Sequence, residues 1–182
     1  MGEGTPEGGE ERDPETPVGD GADWGWGREE ETALRLWIAL ARSYLTFSRV
    51  VSSKVLEYGL TIPQFGILEA LHHLGPLSLG ELAEKLLVTG GNITYVMDRL
   101  EDQELVYRER SEEDRRVVKA HLTPGGRELI TRVFPGHASY VRELVSHLTP
   151  EERDELRTLL KKLGKGIAEG AESAVESTNS RT

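Results

Sequence analysis

Residues 78–100 read Ser78-Leu79-Gly80-Glu81-Leu82-Ala83-Glu84-Lys85-Leu86-Leu87-Val88-Thr89-Gly90-Gly91-Asn92-Ile93-Thr94-Tyr95-Val96-Met97-Asp98-Arg99-Leu100. Two helix starts lie in this stretch. Ser78 with Glu81 three residues on is a capping box, and it opens a short helix whose apolar positions are Leu82, Ala83 and Leu86. Thr89 is a further N-cap, for a helix through about Gln103 that turns Ile93, Val96, Met97 and Leu100 inward. Two short helices joined by a tight turn make a helix-turn-helix, whose second helix fits the major groove of DNA.

The period changes after this unit. Leu105-Val106-Tyr107-Arg108-Glu109-Arg110 and Val117-Val118-Lys119-Ala120-His121-Leu122 have strand composition, with the charged turn 111–116 between them. They predict a β-hairpin with a polar tip, a wing able to reach an adjacent groove. Thr123-Pro124 restarts a helix that runs toward His147, with Pro135 expected to kink it. Thr149-Pro150-Glu151-Glu152 caps a last helix carrying Leu156, Leu159, Leu160, Leu163 and Ile167. On the other side, Leu34, Trp37, Ile38, Ala41, Leu45, Val51 and Val55 recur at helical spacing through 30–58. Gly59 stops that helix, and Thr61-Ile62-Pro63-Gln64 boxes the start of another that ends at Gly75-Pro76. The outer helices have apolar stripes with no partner inside the winged unit; a second copy of the chain would cover them and give two reading heads.

Composition bounds the rest. The 182 residues are about one domain's worth. Without cysteine there is no disulfide, zinc-thiolate site or thiol switch. No apolar run nears the roughly 20 residues that span a bilayer, and the acidic, Gly-rich start is neither a signal nor a transit peptide. A cytoplasmic protein with no membrane contact is expected. The net charge of −10 is concentrated: residues 1–31 hold 11 acids and two bases, leaving a nearly neutral body. Eight Gly and three Pro within 1–28 mark that segment as a disordered acidic tail. The expected organisation is thus the tail at 1–28, dimerisation helices at 29–76 and 123–169, the winged helix-turn-helix at 77–122 and a flexible end at 170–182. The fold class is mainly α with a small β-wing.

The outward face of the second short helix presents Thr89, Gly90, Gly91, Asn92, Thr94, Tyr95, Asp98 and Arg99, with small and amide-bearing residues at its start suited to base edges and phosphates; an ordinary solvated face has the same composition. At the hairpin tip Asp114-Arg115-Arg116 sets two guanidiniums at a turn, with Asp114 placed to orient one of them. Arginine suits a narrow, electronegative minor groove, although such clusters are commonly just solvated. Residues 77–123 carry seven bases against ten acids, so non-specific DNA affinity should be modest.

Leu82-Ala83-Glu84-Lys85-Leu86, Gly91-Asn92-Ile93-Thr94, Asp98-Arg99-Leu100-Glu101 and, above all, Asp114-Arg115-Arg116 followed by Leu122-Thr123-Pro124-Gly125-Gly126-Arg127 resemble the MarR (multiple antibiotic resistance regulator) family. The likeness covers about 30–167. It implies a dimeric winged-helix repressor of a pseudo-palindromic operator on double-stranded DNA. By motif match Arg116 would enter the minor groove, Asp114 would hold it, Asn92, Thr94 and Tyr95 would face the major groove, and Ser78 would sit near a phosphate. Gly91-Asn92-Ile93-Thr94 and Phe134-Pro135-Gly136-His137 resemble a branch linked to phenolic or quinone-type stress. The family commonly binds a small effector between the dimer helices and the winged helix. Trp37, Tyr44, Phe65, His73 and His137 are the candidate rings and imidazoles for such a pocket.

Competing classes find less in the chain. There is no His-Glu-x-x-His, phosphate loop or nucleophile elbow, so no enzyme and no cofactor is expected. A metal-responsive repressor would have to build its site from His72 or His73 with His137, and no metal is expected. A winged helix used only for protein interaction would have no need of the wing arginines.

Overall fold

Five hydroxyl side chains begin helices at the positions their capping patterns indicate. The structure, a computed structural model, describes residues 27–86, 89–111 and 114–179, of which 172–179 by backbone alone. Nearly all of the expected acidic tail, including Trp24 and Trp26, lies outside the described residues, as do Leu87, Val88, Glu112, Glu113 and 180–182.

Among the described residues six helices and three strands follow in order: α1 (Arg28–Leu56), α2 (Ile62–Leu74), β1 (Leu77–Ser78), α3 (Leu79–Leu86), α4 (Gly90–Asp102), β2 (Val106–Arg110), β3 (Val118–Leu122), α5 (Pro124–Leu144) and α6 (Pro150–Asn179). This is the mainly helical winged fold read from the sequence. The chain divides into two compact units, Met1–Val51 and Ser52–Thr182. In the first, α1 opens on Glu29, Glu30 and Glu31, whose charges complement the positive end of the helix dipole. Its apolar stripe stays exposed at Leu34, Trp37 and Leu45.

The second unit holds the core. Thr61 and Gln64 exchange the two bonds of the capping box at the start of α2, with Pro63 in the first turn. Gln64 is buried, and its amide donates to Gln103 Oε1 at 3.2 Å, so the box also ties α2 to the end of α4. Phe65, Ile67, Leu68 and Leu71 of α2 pack with Leu82, Ile93, Val96, Met97, Leu100, Val106, Ala120 and Ile130. Each fully buried aliphatic side chain contributes about 1.5–3 kcal/mol. Both helices of the helix-turn-helix are thereby fixed to one hydrophobic centre.

The wing is larger than the expected hairpin. β1 adds to it, giving an antiparallel sheet in the order β1-β3-β2, with Leu77 opposite Ala120 and Arg108 opposite Ala120 on the other side. The sheet leads directly into α5. Thr123 caps that helix by accepting from the Gly126 N–H at 3.0 Å, and its hydroxyl donates to the Glu104 carbonyl. Gly126 rests against the Leu105 carbonyl so closely that a β-carbon there would stand 1.9 Å from the oxygen. Pro135 lies inside α5 without ending it.

Thr149 and Glu152 form the third capping box, at α6. Past residue 169, where Ser, Thr and Glu content suggests fraying, the helical backbone continues to Asn179, with Ala and Glu between the hydroxyl residues favouring it. Leu156, Leu159, Leu160 and Ile167 of α6 are exposed. Among the described residues no helix is long and apolar enough to cross a membrane.

Candidate nucleic-acid interface

Residues at the start of α3 and α4 are placed by their caps. Ser78 Oγ accepts from the Glu81 N–H, and Glu81 returns a bond to the Ser78 N–H at 2.7 Å. Those bonds to Ser78 hold the Glu81 carboxyl below its ordinary pKa. The Ser78 hydroxyl is therefore committed to its helix, and a phosphate there would meet it as part of a cap. Thr89 Oγ1 accepts from the Asn92 N–H at 3.4 Å, turning the first residues of α4 outward.

Along the exposed side of α4, Asn92 is open and Tyr95 is 59% exposed. The Arg99 guanidinium stands 5.4 Å from the Tyr95 ring centre, a cation–π arrangement that steadies both groups. Thr94 differs from its neighbours: its hydroxyl donates to the Gly90 carbonyl at 3.1 Å, so only its acceptor side is free for a base.

At the wing, Arg116 is held in a fork. Its Nε and terminal nitrogen donate to the two oxygens of Asp114 at 3.1 and 3.0 Å, and its backbone N–H donates to Asp114 Oδ1 at 3.0 Å. The Arg116 side chain as a whole remains 91% exposed. These bonds lower the Asp114 pKa, the side-chain contact being the larger cause. Arg115 is exposed, and its carbonyl accepts from Arg110 at 3.3 Å.

Arg108 is a residue the sequence reading passed over. It is three-quarters buried on β2 and donates to Asp98 and to the Thr94 carbonyl, with Glu101 at 3.6 Å. The available signal was strand parity, since Arg108 shares its face with buried Val106. Asp98, Glu101 and Asp114, three of the ten acids in 77–123, thus pair with Arg108 and Arg116, two of its seven bases, and the net acidic balance of the segment is unchanged.

The effector candidates divide. Phe65 and His137 come together, ring centres 4.4 Å apart, and the Tyr58 ring lies 6.3 Å from that of Phe65. The Tyr58 hydroxyl and His137 Nδ1 are buried without a hydrogen-bond partner. Burial lowers the His137 pKa against an opposing pull from Glu69, so the imidazole is neutral near pH 7. His73 lies apart from this group, exposed and edge-on to Phe134 at 4.7 Å. Trp37 and Tyr44 belong to the first unit and are 63% and 67% exposed. Tyr58 was missed because one tyrosine near a helix end carries no pattern. Among the described residues no three histidine or carboxylate side chains gather as a metal site.

Comparison with known proteins agrees with this geometry. Residues 60–118 match the model of the MarR family. Over 134 residues the chain is 37% identical to the HTH-type transcriptional regulator MhqR of Bacillus subtilis, an alignment spanning 74% of this chain and 92% of that protein. The fold superposes with a TM-score of 0.71 on Sco3205, a MarR family regulator from Streptomyces coelicolor solved in complex with DNA, at 27% identity and covering 78% of this chain and 89% of that one. BpsR of Bordetella bronchiseptica, whose DNA binding is regulated by 6-hydroxynicotinic acid, gives 0.65 at 27% identity over 71% of this chain and 98% of that one. A winged helix with an exposed, acid-braced arginine and relatives of this similarity lead to one conclusion: the chain belongs to the MarR family of DNA-binding transcriptional regulators.

Proposed function

We propose that the protein is a cytoplasmic repressor that binds a pseudo-palindromic operator as a homodimer and is released by a small phenolic ligand. The observation that carries the DNA reading is the Asp114–Arg116 fork, an exposed guanidinium held in place before any DNA arrives. A pre-oriented arginine enters a narrow minor groove at lower entropic cost than a free one, while Asn92, Thr94, Tyr95 and Arg99 face the major groove from α4. Dimerisation is supported by the exposed leucines of α1 and α6, which a second copy would cover. Support for the ligand comes from Tyr58 and His137, whose unpartnered polar atoms beside Phe65 suit a ring bearing a hydroxyl, and from a relative regulated by a hydroxylated aromatic acid.

The test is selection of bound duplexes from a randomised pool by the purified protein. Enriched sequences should be two-fold related, with half-sites about one helical turn, ~10 bp, apart. Enrichment of unrelated or asymmetric sequences would overturn the dimeric operator reading, and a folded monomer in sedimentation would do the same.

A further inference from the structure

Arg108 joins the two elements assigned to DNA. Thr94, Asp98 and Glu101 stand at i, i+4 and i+7 along α4, one face of the helix. The Arg108 guanidinium reaches all three from the middle of β2, while its Nε is buried with no partner. Its direct cross-strand partner is Ala120, which shares its face of the sheet and is fully buried, so the arginine stem runs along the core side of the wing. A guanidinium with two carboxylates and a carbonyl in a fixed fan has little freedom to slide. Hydrophobic contacts alone would tolerate small rotations of a helix over a sheet.

We infer that Arg108 is a positioning residue that fixes the angle between α4 and the wing, so that Arg116 reaches its groove only when α4 is seated in the neighbouring one. The inference rests on the reading of α4 and the wing as the DNA-contacting elements. Arg108 touches no DNA in this scheme. Its effect passes through the orientation of β2, and thence to the turn that carries Asp114 and Arg116. The energetic signature is coupling: contacts made by α4 and by the wing reinforce each other while the brace is intact, and act separately once it is cut.

Two variants cut the brace from opposite sides. Arg108→Lys keeps the charge but replaces the fork with a single point, and Asp98→Asn leaves Arg108 in place while removing its principal anchor. Binding to the selected duplex is measured well below each variant's unfolding temperature, with and without Arg116→Ala. In the parent, Arg116→Ala should lower affinity by about ten- to one-hundred-fold. In either brace variant the same change should cost no more than about twofold. A full-sized Arg116→Ala effect in both brace variants overturns the inference, since a merely stabilising role would leave that ratio unchanged. A second readout is independent of DNA. The chain has no cysteine, so spin labels at Asn92→Cys and Ser111→Cys report the helix-to-wing distance directly. A narrow distribution in the parent that broadens in Arg108→Lys supports the brace, and an unchanged distribution overturns it whatever the duplex data show. Failure of the parent to bind any duplex, with the distance behaviour as expected, would count against the DNA reading alone.

Discussion

Asp114 grips Arg116 through three hydrogen bonds while the arginine side chain stays almost wholly exposed. An exposed ion pair of this kind adds little to folding stability, because water competes for both partners. Its value lies in orientation. Arg116→Ala should therefore leave the unfolding temperature nearly unchanged and weaken operator binding by about 1–3 kcal/mol. Arg157→Ala, removing another exposed, acid-paired cation, on α6, serves as the control and should have little effect on operator binding. Equal small losses from both variants would remove the wing from the interface.

Asp114→Ala sets two effects against each other. Deleting a negative charge near phosphate favours DNA non-specifically, whereas freeing Arg116 disfavours the specific complex. The expected outcome is tighter binding to random-sequence duplex and weaker binding to the operator, read by anisotropy at two salt concentrations. A gain on both duplexes would show that the carboxylate contributes only charge.

His137 supplies a pH dependence. Its folded pKa is depressed by burial, so the unfolded chain takes up a proton more readily than the native one. Stability contributed by the neutral ring is present above the ordinary histidine pKa of about 6.5 and is lost as pH falls through the lower, folded value. The melting temperature should drop more steeply between pH 7.5 and pH 5.5, chosen as about one unit either side of that value, than it does in His137→Gln. Parallel curves for the two proteins would show that His137 gains its proton as easily folded as unfolded.

Tyr58→Phe removes a buried hydroxyl that has no partner. Relieving such a group typically gains stability, up to about 1–3 kcal/mol, so the variant should melt at or above the parent temperature. If a phenolic effector uses that hydroxyl, the same variant should bind it more weakly. Unaltered ligand affinity, with stability raised, would make Tyr58 a packing residue only.

Adjacent glycines at the start of α5 give opposite signs. At Gly126 a methyl group meets the Leu105 carbonyl oxygen, and Gly126→Ala should cost about 1–3 kcal/mol, or more if the backbone cannot shift. At Gly125 the nearest atoms are 3.7 and 3.8 Å away, an ordinary contact, so Gly125→Ala should stabilise by about 0.4–1 kcal/mol through the unfolded chain. Chemical denaturation of the two variants checks both.

Local chemistry was the legible part of this fold. The caps at Thr61, Ser78, Thr89, Thr123 and Thr149 announce themselves within four residues, and each begins a helix. Asp114 and Arg116 are near neighbours, so their pairing follows from sequence distance. What escaped was non-local or too short to have a period. Leu77–Ser78 has two residues, too few to show alternation, and it becomes a strand only because β3 lies alongside. Arg108 is separated from Asp98 by ten positions and a change of element. Phe65 and His137 belong to different helices, and only the fold brings their rings into contact. The apolar periodicity of α1 marked one face without saying what covers it.

Ser78 serves two masters within a single residue: it pairs with Lys119 in the sheet and caps α3 with its side chain. No spacer separates the wing's inner edge from the first turn of the helix-turn-helix. One residue inserted between 77 and 79 would shift either the strand pairing or the helical phase, and both could not be kept. Among the described residues of the tip, Ser111 and 114–116, none both pairs in the sheet and caps a helix. Length variation in this protein is thus permitted at the end of the wing and forbidden at its root, so a linker or tag grafted into the reading head belongs at the tip, at the expense of the arginines there.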